Sequence, residues 1–371
     1  MQTPVRCGAG TACGTVDRVI DVKAPRLRRT LLAAFVSASV AAPVTGAARP
    51  AAVPAPVPAP LAPLRAATPE TLAVRYAATR DAVRAAERMA ADHGDLRRAA
   101  LLRAMADPGR RFLSFDGRDG GRAVEVFGDL AAAERIVVLV PGSDTTLDKY
   151  GLLRGGALRL SQQLGERSAV VGWLGYRTPS LVSLSSLTAG RAEEGAPALR
   201  AFVRELGAAR PAARVSLLCH SYGTVVCGRA APALDVERLI LIGSPGVTVE
   251  HVAGLRTRAE VWAGRAGGDW VARVPHVRLG ALGFGADPVS PGFGARVFAA
   301  GDGGHSDYLK AGSLPLRNIA AIVSGHAPVS GHAPVSGHAP VSGHAPVSGH
   351  APVSGHAPVS GHAPVEARRA A

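Results

Sequence analysis

Short apolar runs recur through the middle of the chain, most of them at intervals wide enough for helices. RFLSF (residues 111–115) and AVEVF (123–127) mix buried-type and polar positions with a period near two, which predicts half-buried strands. IVVLV (136–140) is apolar throughout and predicts a strand covered on both faces. AVVGW (169–173), VSLLC (215–219), LILIG (239–243), EVWAG (260–264) and ARVFA (295–299) follow, with helix-length text between them. That alternation predicts an α/β architecture, a mainly parallel, doubly wound sheet. Upstream, Thr68 offers an N-cap, Pro69 suits the first helical position and Glu70 complements the helix dipole. They predict an N-terminal helical segment running to about Met105 and closed by a turn at Asp107, Pro108 and Gly109.

The flanks read differently. Arg26, Arg28 and Arg29 precede the apolar stretch Leu31 to Val44 and then TGAARPAA, the order of a secretory signal. Fourteen mostly apolar residues are too few for a membrane span, which takes about 20. Residues 1–48 are therefore read as a signal peptide with an N-terminal extension, and export of the chain is expected. Residues 49–67 are an Ala/Pro-rich linker suited to polyproline II, and 68–323 form the folded domain with its N-terminal helical segment. From 324 to 365 the hexapeptide SGHAPV repeats seven times without change, so 324–371 is expected to be a disordered tail. Histidines one repeat apart lie on the order of 19 Å from each other in polyproline II, so no metal site is preformed there.

Composition alters this picture little. The formal charge is +14, but it comes from arginines scattered singly through Ala-rich text, with Lys23, Lys149 and Lys310 the only lysines. No basic helix or aromatic platform accompanies the charge, which argues against nucleic-acid binding. Aromatic residues make up 4 %, too few for a carbohydrate-stacking groove. No cofactor is called for, and the oligomeric state is left open.

The candidate chemistry centres on LLCHSYGTVVCG (217–228). A serine hydroxyl attacks only when a base takes its proton and the chain holds it clear of its surroundings. VSLLC followed by a helical stretch from Tyr222 through Ala231, stopped by Pro232, is the strand–turn–helix setting of a nucleophile elbow, with Ser221 at the turn. Gly223 keeps the second glycine of GxSxG, while Cys219 replaces the first. The loop PGSDTT (141–146) can turn backbone N–H groups toward the site, so the amides of Ser143 and Tyr222 are the candidate oxyanion hole. After EVWAG comes Asp269 and after ARVFA comes His305, giving the order Ser, Asp, His. Asp287, Asp302 and Asp307 compete as the acid, and His276 and His251 as the base. His220 is read as structural, and the loop 174–190 as a lining for a modest, partly apolar acyl group. A bridge between Cys219 and Cys227 is not expected, because the elbow helix would have to return Cys227 to the strand end.

VVLVPGSDTTLDKYG, VGWLGYRTP, LLCHSYGTVVCG, IGSPG and FGADPVSPGFGARVFAAGDGGHSDYL, five separated blocks in order, resemble an actinobacterial α/β-hydrolase family catalogued as a domain of unknown function. The resemblance spans roughly residues 121 to 322. It implies an α/β-hydrolase fold with Ser221 as nucleophile and His305 as base; Asp269 is assigned as the acid by its strand position. The resulting expectation is a secreted serine hydrolase acting on a small-molecule ester through an acyl-enzyme. Two rivals remain: a non-catalytic secreted binding protein with a His-rich, metal-capturing tail, and a peptidase or amidase on the same fold.

Overall fold

The structure, a computed structural model, describes residues 53–329. Residues 1–52 and all but the first SGHAPV unit, on which the export and tail expectations rest, lie outside the described residues. Two helices open the fold, α1 (Pro69–Asp92) and α2 (Leu96–Met105). The continuous helical segment expected here is interrupted, because Gly94 takes a left-handed φ of 85° and Asp95 caps a new helix by accepting from the Arg98 N–H. At the start of α1, Thr68 and Thr71 cap each other, and Pro69 occupies the first turn.

Strands β1 (Arg111–Asp116), β2 (Arg122–Phe127), β3 (Arg135–Val140), β4 (Ser168–Leu174), β5 (Arg214–His220), β6 (Arg238–Ile242), β7 (Glu260–Gly264) and a short Arg296–Val297 form one eight-stranded sheet. Its spatial order is β1-β2-β4-β3-β5-β6-β7 followed by Arg296–Val297. β2 pairs antiparallel with β1 and β4, and every pair from β4 onward is parallel. Crossovers run through α3 (Gly151–Leu164), α4 (Gly190–Ala209) and α5 (Tyr222–Ala230), and α6 (Leu314–Val323) follows the last strand. Two apolar clusters divide the sheet between them. Val138, Val171, Leu217 and Leu241 face α4 and α5, whereas Val137, Val170, Leu218 and Ile240 face α3 and α6. This two-sided burial explains the unbroken apolar text of the central strands.

The proline-rich stretch before α1 lies on the domain over its described part. Leu64 and Ala67 are buried, the Leu64 N–H donates to the Glu205 carboxylate at 2.7 Å, and the Ala67 N–H donates to the Ala209 carbonyl at 3.1 Å. A stiff segment with two apolar anchors loses little entropy on docking, so the composition of a tether is compatible with a fixed strap. At the other end, fully buried Asn318 of α6 accepts from the Val329 N–H at 2.8 Å and donates to its carbonyl at 3.0 Å. Small elements absent from the strand expectations are a hairpin of β8 (Arg278–Leu279) with β9 (Leu282–Gly283). Two-residue strands carry no periodicity to read. Among the described residues no helix is long and apolar enough to cross a membrane.

Candidate active site

β5 and α5 meet at Ser221, which takes φ 55° and ψ −129°, a combination that costs an ordinary residue of order 1–3 kcal/mol. The turn is held from both sides: the Ser221 N–H donates to the Ile242 carbonyl at 3.0 Å, and its carbonyl accepts from the Thr224 N–H at 2.9 Å. Gly223 permits the tightness, since a Cβ there would stand 2.5 Å from the Val140 carbonyl oxygen. Gly142 presses against the serine in the same way, its absent Cβ falling 2.5 Å from Ser221 Cβ. The loop 141–146 therefore lies against Ser221. Neither the Ser143 nor the Tyr222 amide, the two oxyanion candidates, finds an acceptor among the described residues.

The cysteines correct the sequence expectation. Cys219 and Cys227 are joined by a disulfide, with Cα atoms 6.5 Å apart and both residues fully buried. Cys219 is the penultimate residue of β5, and Cys227 lies in the second turn of α5, which doubles back over the strand, so the eight-residue separation returns the chain to itself. The side chain that replaces the elbow's first glycine is accommodated by being bonded into the helix above it. Ser221 lies inside this covalent ring.

Two later loops supply the partners. Asp269, after β7, and His305, after the last strand, meet with the His305 Nδ1–H donating to the carboxylate at 2.9 and 3.0 Å. The Ser221 Oγ–H donates to His305 Nε2 at 2.8 Å. The structure thus brings Ser221, Asp269 and His305 into one hydrogen-bonded line. Burial alone would raise the Asp269 pKa, but donation from His305, from the Tyr308 hydroxyl (2.5 Å) and from the Val271 N–H (2.9 Å) outweighs it and holds the carboxyl below its ordinary value. An ionised Asp269 fixes the proton on Nδ1 and leaves Nε2 as the acceptor facing serine. Gly243, at the end of β6 with φ 54°, makes room for the pair, since a Cβ there would meet the Asp269 carboxylate at 2.8 Å.

Two of the competing acids and one competing base are bonded elsewhere. Asp287 pairs with Arg265, and the Asp307 carboxylate accepts from the Gly304 N–H at 2.8 Å, shaping the His305 loop. Gly267 and Gly268 pack against the backbone around Asp302. The His276 Nε2–H donates to the Ser244 carbonyl at 3.2 Å, and His251 is exposed.

Three contributors escaped the sequence reading. Tyr308, three residues after His305, also accepts from the Ala266 N–H at 3.1 Å, which locks its ring before it reaches Asp269. Trp270 sets its ring 4.8 Å from that of His305. His220, expected only to line the sheet, donates Nε2–H to the His305 carbonyl at 2.8 Å and stands 4.7 Å ring to ring from it. Burial, aided by the neighbouring His305, pushes the His220 pKa down to about 4, so it holds the base loop as a neutral donor. The signal was present in HSYG and GGHSDY, but only long-range packing joins them.

Beside His305 a cavity of about 70 Å³ is lined by Leu139, Leu152, Leu153, Ile242 and Leu309. A larger hollow of about 640 Å³ lies at the opposite, amino-terminal end of β5, lined by Arg204, Arg210 and Arg214 with no nucleophile, so size does not locate the chemistry. Among the described residues no three His, Cys, Asp or Glu side chains are grouped to hold a metal.

Residues 116–279 match a family model described as alpha/beta hydrolase. With the strand order and the turn at Ser221, that match defines the class: the chain has an α/β-hydrolase fold. It is similar to uncharacterized proteins of Mycobacterium tuberculosis from strains CDC 1551 / Oshkosh and ATCC 25618 / H37Rv, at 30 % identity over 58 % of this chain. The chain spans 38 % of the length of these relatives. Among solved structures it is similar to an α/β serine hydrolase without lid from Xanthomonas campestris (18 % identity, 58 % of this chain and 94 % of that one, TM-score 0.36). It is also similar to esterase LipW of Mycobacterium marinum (14 %, 70 % and 90 %, TM-score 0.36).

Proposed function

We propose that the protein is a secreted serine hydrolase that cleaves carboxylic esters through an acyl-enzyme on Ser221. The observation that carries this is the unbroken line Ser221 Oγ to His305 Nε2, His305 Nδ1 to Asp269, on a strained strand-to-helix turn. In the first half-reaction His305 takes the serine proton as Oγ attacks the ester carbonyl, and the new oxyanion is received by the amides of Ser143 and Tyr222. The imidazolium, facing ionised Asp269, returns its proton to the leaving alcohol. Water then attacks the acyl carbon as His305 takes its proton, and His305 returns that proton to Ser221 Oγ as the acyl–oxygen bond breaks and the acid leaves. The small apolar cavity beside His305 favours a short alkyl group there over a polymer chain. The arginine-rich, apolar, small-residue order of residues 26–48 supports export, as does a disulfide, which is at home in an oxidising compartment.

The test is an alkyl fluorophosphonate probe applied to folded protein and to Ser221→Ala, beside a panel of short esters and matched amides. Labelling and ester turnover in the parent, both absent from Ser221→Ala, are expected. A folded parent that takes no label would sink the hydrolase reading in favour of a non-catalytic binding role. Amide turnover equal to that of esters would move it to the peptidase class.

A further inference from the structure

Two segments border the site, residues 175–189 between β4 and α4 and residues 270–283 after Asp269. An antiparallel bridge between Thr188 and Leu282 joins them, and the Gly283 N–H donates to the Leu187 carbonyl at 2.9 Å. Both are anchored around Ser221. The Tyr222 hydroxyl donates to the Thr188 carbonyl at 2.6 Å, the Leu181 N–H to the Asp144 carboxylate at 3.3 Å, and Trp270 stands against His305. On this rim, side chains of core type stand in solvent: Val182 is 92 % exposed, Leu184 79 % and Leu279 74 %, with Leu181, Leu187 and Leu282 about half exposed. A cluster of this kind around a candidate active site marks a contact surface.

The charges on the same rim say what kind. Neither segment contains an Asp or a Glu, and together they hold Arg177, Arg273 and Arg278, all exposed. Arg278 also donates to the Thr248 carbonyl at 3.2 Å, but a purely apolar partner leaves Arg177 and Arg273 without purpose, and a nucleic acid leaves the leucines without one. A second copy of this rim would bring like charges together. We infer that the rim docks on an anionic lipid surface, with the leucines and Val182 entering the acyl boundary and the arginines at the headgroup level. Docking needs no chemistry at Ser221; that it would present Ser221 to lipid esters rests on the proposed function.

The test uses full-length Ser221→Ala protein sedimented with vesicles of phosphatidylcholine alone or mixed with phosphatidylglycerol. Binding to the mixed vesicles that weakens with salt is expected. The apolar leader at 31–44 could bind lipid by itself, so substitutions on the rim decide the matter. Arg177→Gln, Arg273→Gln and Arg278→Gln should each weaken binding about fivefold and together on the order of a hundredfold. Val182→Asp with Leu184→Asp should remove most of it, whereas Leu96→Asp, at an exposed leucine on α2, should leave it unchanged. The glutamine variants serve as the check if the aspartates unfold the loop. Folded rim variants that bind like the parent overturn the inference, as does a rim that governs self-association but not vesicle binding. Turnover of a water-soluble ester by the same rim variants with Ser221 intact is read separately. Its absence in the parent would refute the hydrolase reading while leaving docking to stand on the vesicles.

Discussion

Breaking the Cys219–Cys227 bridge tests whether the ring around Ser221 contributes to stability as its size implies. The bridged residues are eight apart in sequence, and the chain-entropy relation for a loop of that length gives about 2.5 kcal/mol at 25 °C from restriction of the unfolded chain. The sulfurs are fully buried, so reductant reaches them only after unfolding, and equilibrium urea titrations with and without a thiol reductant compare the same side chains in both states. The full-length chain also carries Cys7 and Cys13, which lie outside the described residues. The control is therefore Cys219→Ala with Cys227→Ala, in which the reductant-dependent difference should vanish. The parent should lose about 2–3 kcal/mol on reduction with an unchanged urea slope. A parent whose unfolding free energy is the same with and without reductant refutes the reasoning, as does a double variant that keeps the difference.

Tyr308→Phe removes one of three donors to Asp269, a hydrogen bond to a charged group of about 1.5–3 kcal/mol; kcat on a soluble ester should fall about tenfold or more at little-changed KM, and unchanged kcat and stability would show that His305 and Val271 suffice to hold the acid. His220 has its pKa lowered from 6.5 to about 4 in the fold, so the unfolded chain binds the extra proton between these values. Its contribution is complete above about pH 6.5 and is lost as pH falls toward 4, by roughly 3 kcal/mol. His220→Gln, which keeps a donor for the His305 carbonyl, should flatten the stability-against-pH curve in that window when followed by urea unfolding, and a curve as steep as the parent's would count against the assignment. Gly142→Ala places a Cβ 2.5 Å from Ser221 Cβ; the fluorophosphonate labelling rate should drop about a hundredfold in a protein that still melts cooperatively, since small displacements at a nucleophile have effects of that size.

The parallel core was legible because each central strand is covered on both faces and so is written as an unbroken apolar run. The edges were less so. The last strand shrinks from the expected ARVFA to Arg296–Val297, and the β8–β9 hairpin has no periodicity at all. Ser221, Asp269 and His305 could be picked out in the text because strand-end loops converge at one end of a parallel sheet, whatever their separation in sequence. What supports them could not. Tyr308 reaches Asp269 across 39 residues and His220 reaches the His305 carbonyl across 85, and neither pairing leaves a local pattern. The disulfide was misjudged for a related reason. A bridge required the elbow helix to return Cys227 to the strand end, and the packing of α5 over the end of β5, which does so, is set by long-range contacts and leaves no local pattern.

Asn318 grips Val329 only through the latter's backbone N–H and C=O, and Val329 closes the first SGHAPV unit. A clasp that reads main chain is blind to which copy it holds, and the copy next to α6 is the same hexapeptide whatever number follow. Replication errors that add or delete whole units therefore leave the edge of the folded domain unchanged. The contact between Asn318 and the first unit is thus the same whatever the length of the array that follows it.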